Sequence, residues 1–224
     1  MEKKNIFDGP EITPEDHKTY AELLKMLRKH IIPEALPEPK TPNALDILMG
    51  AYRELPMASL LYRREIISYC GFSLVAYEWV RPLAEWIGSR RCLEIMAGTG
   101  ALSKALRDCG VQIHATDNYS WHWATRPWLG IENIDFREAI QKYGKDVELI
   151  ICSWPPAGTA ADAIKTMRIV NPQSQMIYIG EFDRDGMNAD LPNIARIERD
   201  AAFDTAVSNY KQFTMIHDWP MLLR

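Results

Sequence analysis

Nowhere in the 224 residues do 18 apolar residues run without interruption, so no segment reads as a membrane-spanning helix. The residues after Met1-Glu2-Lys3-Lys4-Asn5 form no apolar h-region either, and the expectation is a cytoplasmic protein with no membrane partner. Cysteine is scarce. Cys70, Cys92, Cys109 and Cys152 are well separated and form no Cys-x-x-Cys pair, which excludes a disulfide framework and points to reduced thiols inside apolar elements. Basic excess is missing as well: with a formal charge of -4, a broad phosphate-binding face is disfavoured and nucleic acid becomes the less expected partner. His114, His122 and His217 show no metal-ligand spacing, so no metal is expected. No internal repeat and no low-complexity tract interrupts the chain.

What is present is a globular composition, 47% apolar, enough to bury a sizeable core. Thr13, Pro14, Glu15 and Asp16 read as an N-cap, a first-turn proline and first-turn acids. Tyr20, Leu23, Leu24, Leu27 and Ile31 then recur at helical spacing and give that helix one apolar face. Four prolines between Pro33 and Pro42 stop it and predict an extended connector. A second short helix is expected over Asn43 to Glu54. Residues 1–56 are read as a helical extension and 57–224 as the main domain, with the N-terminal helices one candidate surface for a homodimer. Ser73 is expected to cap a further helix, with Val75, Trp79, Leu83 and Trp86 on one face, a kink at Pro82 and a stop at Gly88.

From there strands and helices alternate. Apolar runs predict strands over Arg91–Met96, Val111–Thr116, Asn133–Phe136, Val147–Cys152 and Met176–Ile179, and Lys211–Arg224 reads as a last, antiparallel one. Ala101–Cys109 and the stretch holding Ala160, Ala163, Ile164 and Met167 have helical periodicity. The pattern implies a Rossmann-like α/β fold, a mostly parallel sheet with helices on both faces.

The chemistry concentrates at three strand ends. Leu93-Glu94-Ile95-Met96-Ala97-Gly98-Thr99-Gly100-Ala101 runs from strand through small residues straight into a helix, so a backbone can approach a ligand there and a helix N-terminus offers free N–H groups. A triphosphate would want Gly-x-x-x-x-Gly-Lys-Ser/Thr, which is absent. A dinucleotide would want a third glycine where Ser103 stands. S-adenosylmethionine, which carries an ammonium and a sulfonium and no phosphate, suits the acid Glu94. Asp117, followed by Asn118, ends the next strand and can accept both ribose hydroxyls of an adenosine. Ser153-Trp154-Pro155-Pro156 ends the fourth strand and would place an aromatic and proline wall beside the loop. Glu181 and Asp183 follow the fifth strand and are candidates for binding an amine or removing a hydroxyl proton. Trp121, His122, Trp123 and Trp128 either wall a substrate pocket or pack the sheet edge.

At this point the chain resembles the class I methyltransferase superfamily over about residues 63–224. Glu94, Gly98 and Gly100 match its Glu/Asp-x-Gly-x-Gly-x-Gly motif, with Met96 in place of the first glycine. Asp117 matches the ribose acid, and Asp135-Phe136 lies where the resemblance implies the adenine ring is held. Trp154-Pro155-Pro156-Ala157 resembles, with displaced hallmarks, the Asp/Asn/Ser-Pro-Pro-Tyr turn of amino-group methyltransferases. A closer resemblance is to an uncharacterised methyltransferase-like family with a Trp-Pro-Pro turn, a Tyr-Ile-Gly-Glu strand end and a Thr-Ala-Asp tripeptide. It is matched by Trp154-Pro155-Pro156, Tyr178-Ile179-Gly180-Glu181 and Asn188-Ala189-Asp190, and Tyr69 fits its tyrosine before the glycine loop. The resemblance implies an S-adenosyl-L-methionine-dependent methyltransferase acting on a small molecule or a protein group. Two alternatives stand beside it: a domain that binds cofactor or a partner without catalysis, and a nucleic-acid amino methyltransferase.

Overall fold

The computed structural model describes residues 14–37, 57–120, 126–182, 188–213 and 216–224. The expected helix at Asn43–Glu54, the cap Thr13, Asp183 and the Trp121–Trp123 cluster lie outside those residues.

Six strands form one sheet: β1 (Cys92–Ile95), β2 (Ile113–Asp117), β3 (Glu132–Asn133), β4 (Leu149–Ser153), β5 (Gln175–Gly180) and β6 (Trp219–Leu223). Their order is β3-β2-β1-β4-β5-β6. The first five are parallel, and β6 pairs antiparallel with β5, Tyr178 facing Met221. This is the doubly wound order, in which the order of strand addition reverses between β1 and β4 and leaves a crevice at their carboxyl ends.

Both faces of the sheet are covered, which is why its strands are continuously apolar. Along β4, Leu149 and Ile151 join one core while Ile150 and Cys152 join the other, and β5 divides Ile177 and Ile179 from Met176 and Tyr178 in the same way. The first core is closed by α1 (Pro14–Leu27), α2 (Met57–Cys70), α3 (Tyr77–Ile87), α4 (Ala101–Asp108) and, further along the chain, the short helix Ala201–Ala206. The second is closed by α5 (Phe136–Tyr143), α6 (Thr159–Val170) and α7 (Leu191–Ile194); Ala201–Ala206 is then α8. Of the apolar face predicted from sequence, Tyr20, Leu23, Leu24 and Leu27 are buried in the same core as Trp79 and Leu83, whereas Ile31 lies beyond the end of α1 and is exposed. These four side chains are therefore covered by the chain's own core.

Several expectations need correction. Phe136 does not end a strand; it begins α5, because the Asp135 side chain accepts from the N–H of Arg137 and caps a helix there. Ser73 is not a helix cap: α3 starts after Ala76 with no side-chain cap, and the Ser73 hydroxyl bonds that of Ser153 instead. The last strand is only Trp219–Leu223, and α7 and α8 precede it. Asp200 caps α8 by accepting from the N–H groups of Ala202 and Phe203. Two helical turns or fewer carry too little periodicity to be read from sequence.

Candidate functional site

An open cleft of about 1000 Å³, measured out to its mouth, lies at the carboxyl ends of β1, β2 and β4. Its floor is the turn after β1, where Ala97, Gly98 and Thr99 lead into α4. Gly98 has a φ of 57° and no atom within 4 Å of where a Cβ would stand, so the backbone there is open to a ligand. Its N–H donates to Asp117 Oδ2 at 2.7 Å, and the N–H of Tyr119 donates to Oδ1 at 2.6 Å. One carboxylate thus ties the end of β2 to the glycine turn, and each oxygen keeps a further lone pair.

Glu94 is buried at 2% exposure, yet its side chain reaches the cleft floor. The Ser103 hydroxyl donates to Glu94 Oε2. Burial pushes the Glu94 carboxyl up to about 7; the Ser103 bond opposes that rise and the Asp117 charge adds to it. Thr99 is buried beside it, and its hydroxyl oxygen has no hydrogen-bond partner among the described residues. A buried hydroxyl without a protein partner on the cleft floor is free to pair with a ligand, since buried polar groups are as a rule paired.

Three non-glycine residues at the cleft have a left-handed backbone: Met96 after β1, Tyr119 after β2 and Trp154 after β4, with φ values of 54°, 51° and 46°. Each costs of order 1 to 3 kcal/mol and persists only where surroundings enforce it. Met96 therefore adopts the conformation that glycine would adopt in the resembled motif. Thr159 Oγ1 lies 3.5 Å from its sulfur while donating to Pro156 O at 2.6 Å. Trp154 is held from every side. Its N–H extends the β4–β5 ladder to Ile179 O at 2.7 Å, its indole Nε1 donates to Asp218 Oδ2 at 2.9 Å, and Phe72 stacks on it at 5.6 Å between centroids.

Of the residues singled out by sequence, Glu94, Ala97, Gly98, Asp117, Asn118, Ser153, Trp154, Pro155 and Pro156 all line this cleft. The others are placed elsewhere. Tyr69 faces α1, its hydroxyl accepting from Arg28 Nε at 3.0 Å. Gly100 caps α4 and packs under Ile131. Phe136 is core, and Asp135 caps α5 while accepting from Asn118 Nδ2 at 3.3 Å. Glu181 accepts from the N–H of His217 at 3.3 Å and is not among the residues lining the cleft. Trp128 is a packing residue: it stacks on His30 at 5.0 Å, its indole donates to Tyr69 O at 2.6 Å and its N–H to Thr99 O at 2.8 Å.

The Gly100 position is testable. A Cβ there would stand 2.9 Å from Ile131 Cδ1 at a φ of 73°. Gly100→Ala is expected to cost about 1 to 2 kcal/mol, read as a lower denaturation midpoint; an unchanged midpoint would show that the turn relaxes freely.

Sequence reasoning missed Phe72, Ser73, Thr99 and Tyr119 lining the cleft, and Asp218 and Arg63 against its Trp154. Tyr210 OH also donates to Asp218 Oδ2, at 2.5 Å. Burial raises the Asp218 carboxyl above its usual range, against the pull of Tyr210, Trp154 and Arg63. Nothing local in the sequence marks these residues, because their roles arise from contacts between distant segments.

No family model and no curated protein matches the chain. Solved structures with low similarity are methyltransferases. Magnesium protoporphyrin IX methyltransferase of Synechocystis PCC 6803, with bound SAM, is 14% identical over 64% of this chain and 76% of that one, at a TM-score of 0.42. The ribosomal protein L11 methylase of Lactobacillus delbrueckii subsp. bulgaricus is 14% identical over 68% of this chain and 80% of that one, also at 0.42. The CcbJ methyltransferase of Streptomyces caelestis is 14% identical over 45% of this chain at 0.34, and the overlap spans only 48% of its length. The fold assignment rests on strand order and not on these overlaps: the chain is a doubly wound α/β domain with a ligand cleft at its switch point.

Proposed function

We propose that this chain is an S-adenosylmethionine-dependent methyltransferase whose acceptor is a small molecule or a protein group. The observation that carries the reading is the pair Glu94 and Ser103. Where a dinucleotide motif needs its third glycine for close approach of helix and strand, Ser103 is fully buried and donates to Glu94. The cleft floor consequently presents a carboxyl group and no phosphate cradle, which suits a cationic adenosine cofactor.

The residues present fit that cofactor. Thr99 offers an orphan hydroxyl, Gly98 an open backbone, and Asp117 a carboxylate at the end of β2. In this reading Asp117 holds the ribose hydroxyls, while Glu94, Ala97, Gly98 and Thr99 hold the amino-acid end. When bound, the cofactor supplies a methyl group already activated by its sulfonium. The protein has then to align the acceptor and exclude water, and Trp154, Pro155 and Pro156 form the rigid wall that does so. Cytoplasmic placement is part of the proposal: all four cysteines are free, and no described helix is long and apolar enough to cross a membrane.

Calorimetry with S-adenosylmethionine should show saturable one-to-one binding; no heat at millimolar ligand would overturn the assignment. Asp117→Ala should weaken that binding by about 2 kcal/mol, roughly 30-fold, the scale of a hydrogen bond to a charged group. Unchanged affinity would remove Asp117 from the site.

A second reading, cofactor binding without transfer, is favoured by one observation. Glu181, one of the two acids expected to handle the acceptor's proton, is not among the described residues that line the cleft. Intact cofactor binding with no methyl transfer across a broad acceptor panel would decide for it.

A further inference from the structure

Arg63 on α2 stands in an unusual setting. Its guanidinium lies over the rings of Phe72, Trp154 and Phe213, at 6.0, 5.9 and 6.0 Å from their centroids. Phe72 and Trp154 line the cleft, as does Ile67, one helical turn further along the same face of α2. Arg63 is half-buried, and among the described residues it makes no hydrogen bond and no ion pair within 4.0 Å. Burial pushes its guanidinium below the usual arginine range, while Asp218 and Glu181 act on it from longer range in the opposite sense.

Those two acids do not occupy its donors. Asp218 is 3% exposed and spends Oδ2 on the Trp154 indole and the Tyr210 hydroxyl, and its Oδ1 has no partner among the described residues. Glu181 Oε1 takes the N–H of His217. Asp218 meets the edge of the indole and Arg63 its face, so the acid and the base are held apart on one aromatic plane instead of closing on each other. A guanidinium carries five N–H groups in a planar fork, and with no acid of the described residues within 4.0 Å those of Arg63 stay available to a ligand. Planar oxyanions take them two at a time.

We propose that Arg63 marks the acceptor end of the cleft and binds an oxyanion, a carboxylate or phosphate group, carried by the methyl acceptor. The proposal rests on the methyltransferase reading for the word acceptor, while the oxyanion site itself rests on Arg63 and its surroundings. The acceptor's charged group would sit against the Phe72–Trp154 wall, away from Glu94 and the glycine turn, leaving its nucleophile to reach toward the cofactor end.

The test uses the full chain with saturating S-adenosylhomocysteine and three probes of like shape: benzoate, phenyl phosphate and uncharged benzamide. The readout is the Trp154 indole N–H resonance, assigned through its loss in Trp154→Phe. In the unaltered protein, benzoate or phenyl phosphate should move that resonance saturably at millimolar concentration and benzamide should not. The stronger of the two anions identifies the group as carboxylate or phosphate. Arg63→Gln should weaken the response at least tenfold with cofactor affinity within twofold, and Arg63→Lys should restore part of it. Equal responses to benzoate and benzamide, or an undiminished response in Arg63→Gln, would overturn the proposal; the first comparison needs no variant to fold. Should S-adenosylhomocysteine fail to bind while the anion response still depends on Arg63, the cofactor reading falls and the oxyanion site stands.

Discussion

Trp154→Ala is expected to abolish turnover while leaving cofactor affinity within a few-fold, and to lower folding stability by about 4 kcal/mol. The stability loss has two parts. Removing a large, partly buried ring stacked on Phe72 and lying beneath Arg63 costs about 3 kcal/mol, the lower end for such truncations. Asp218, whose Oδ1 is already unpartnered, then loses the indole donor on Oδ2, adding about 1 kcal/mol for the unmade bond. Trp154→Phe separates the two: it keeps most of the ring and drops only the donor, so it should recover most of the stability. The functional loss follows from position. Trp154 begins the rigid turn after β4 and forms the wall against which an acceptor would be aligned, whereas Asp117 and Gly98 lie on the opposite side of the crevice. Denaturant unfolding and single-turnover methyl transfer check the two halves. Full activity in Trp154→Ala would remove this wall from the acceptor site.

Glu94→Gln should reverse a pH-dependent loss of stability. Burial raises the Glu94 carboxyl from 4.5 to about 7 in the folded protein. The folded state therefore holds a proton that the unfolded chain has released between those values. Its contribution to stability is fully present below about pH 4.5 and is lost as pH rises through 7, a change of about 3 kcal/mol for this group. Glutamine keeps an acceptor for the Ser103 hydroxyl and has nothing to ionise. Unfolding midpoints of the unaltered protein and Glu94→Gln should coincide near pH 5, and the variant should be the more stable near pH 8. Equal midpoints at pH 8 would show that Glu94 ionises without cost. A cationic cofactor works against the same burial: by favouring the charged carboxylate, its binding near pH 6.5 should release a proton, seen as buffer-dependent heats in calorimetry.

These expectations differ in how much of them the sequence already contained. The glycine turn, the acid at the end of β2 and the proline turn after β4 were all readable, because each is written in consecutive residues. An apolar run sets a strand, small residues permit a left-handed turn, and a carboxylate follows at the edge. The alternation of strands and helices was likewise a local signal, and it gave a parallel sheet covered on both faces. The failures share a cause too. Asp135-Phe136 was read as the end of a strand beside adenine, yet a single side-chain cap turned it into the start of α5. Ser73 had the right chemistry for a cap and spent its hydroxyl on Ser153.

What the tertiary structure alone decided is which side chains meet. Arg63 on α2, Phe72 before α3, Trp154 after β4 and Asp218 before β6 converge on one indole ring, although their local sequences carry no common pattern. The Tyr69 hydroxyl meets Arg28 and the Glu181 carboxylate meets the N–H of His217, so neither joins the cleft lining. Periodicity and turn chemistry act over a few residues and fix elements. The crevice at the switch point, and the charges gathered around it, exist only once distant strands have been brought side by side in the order β3-β2-β1-β4-β5-β6.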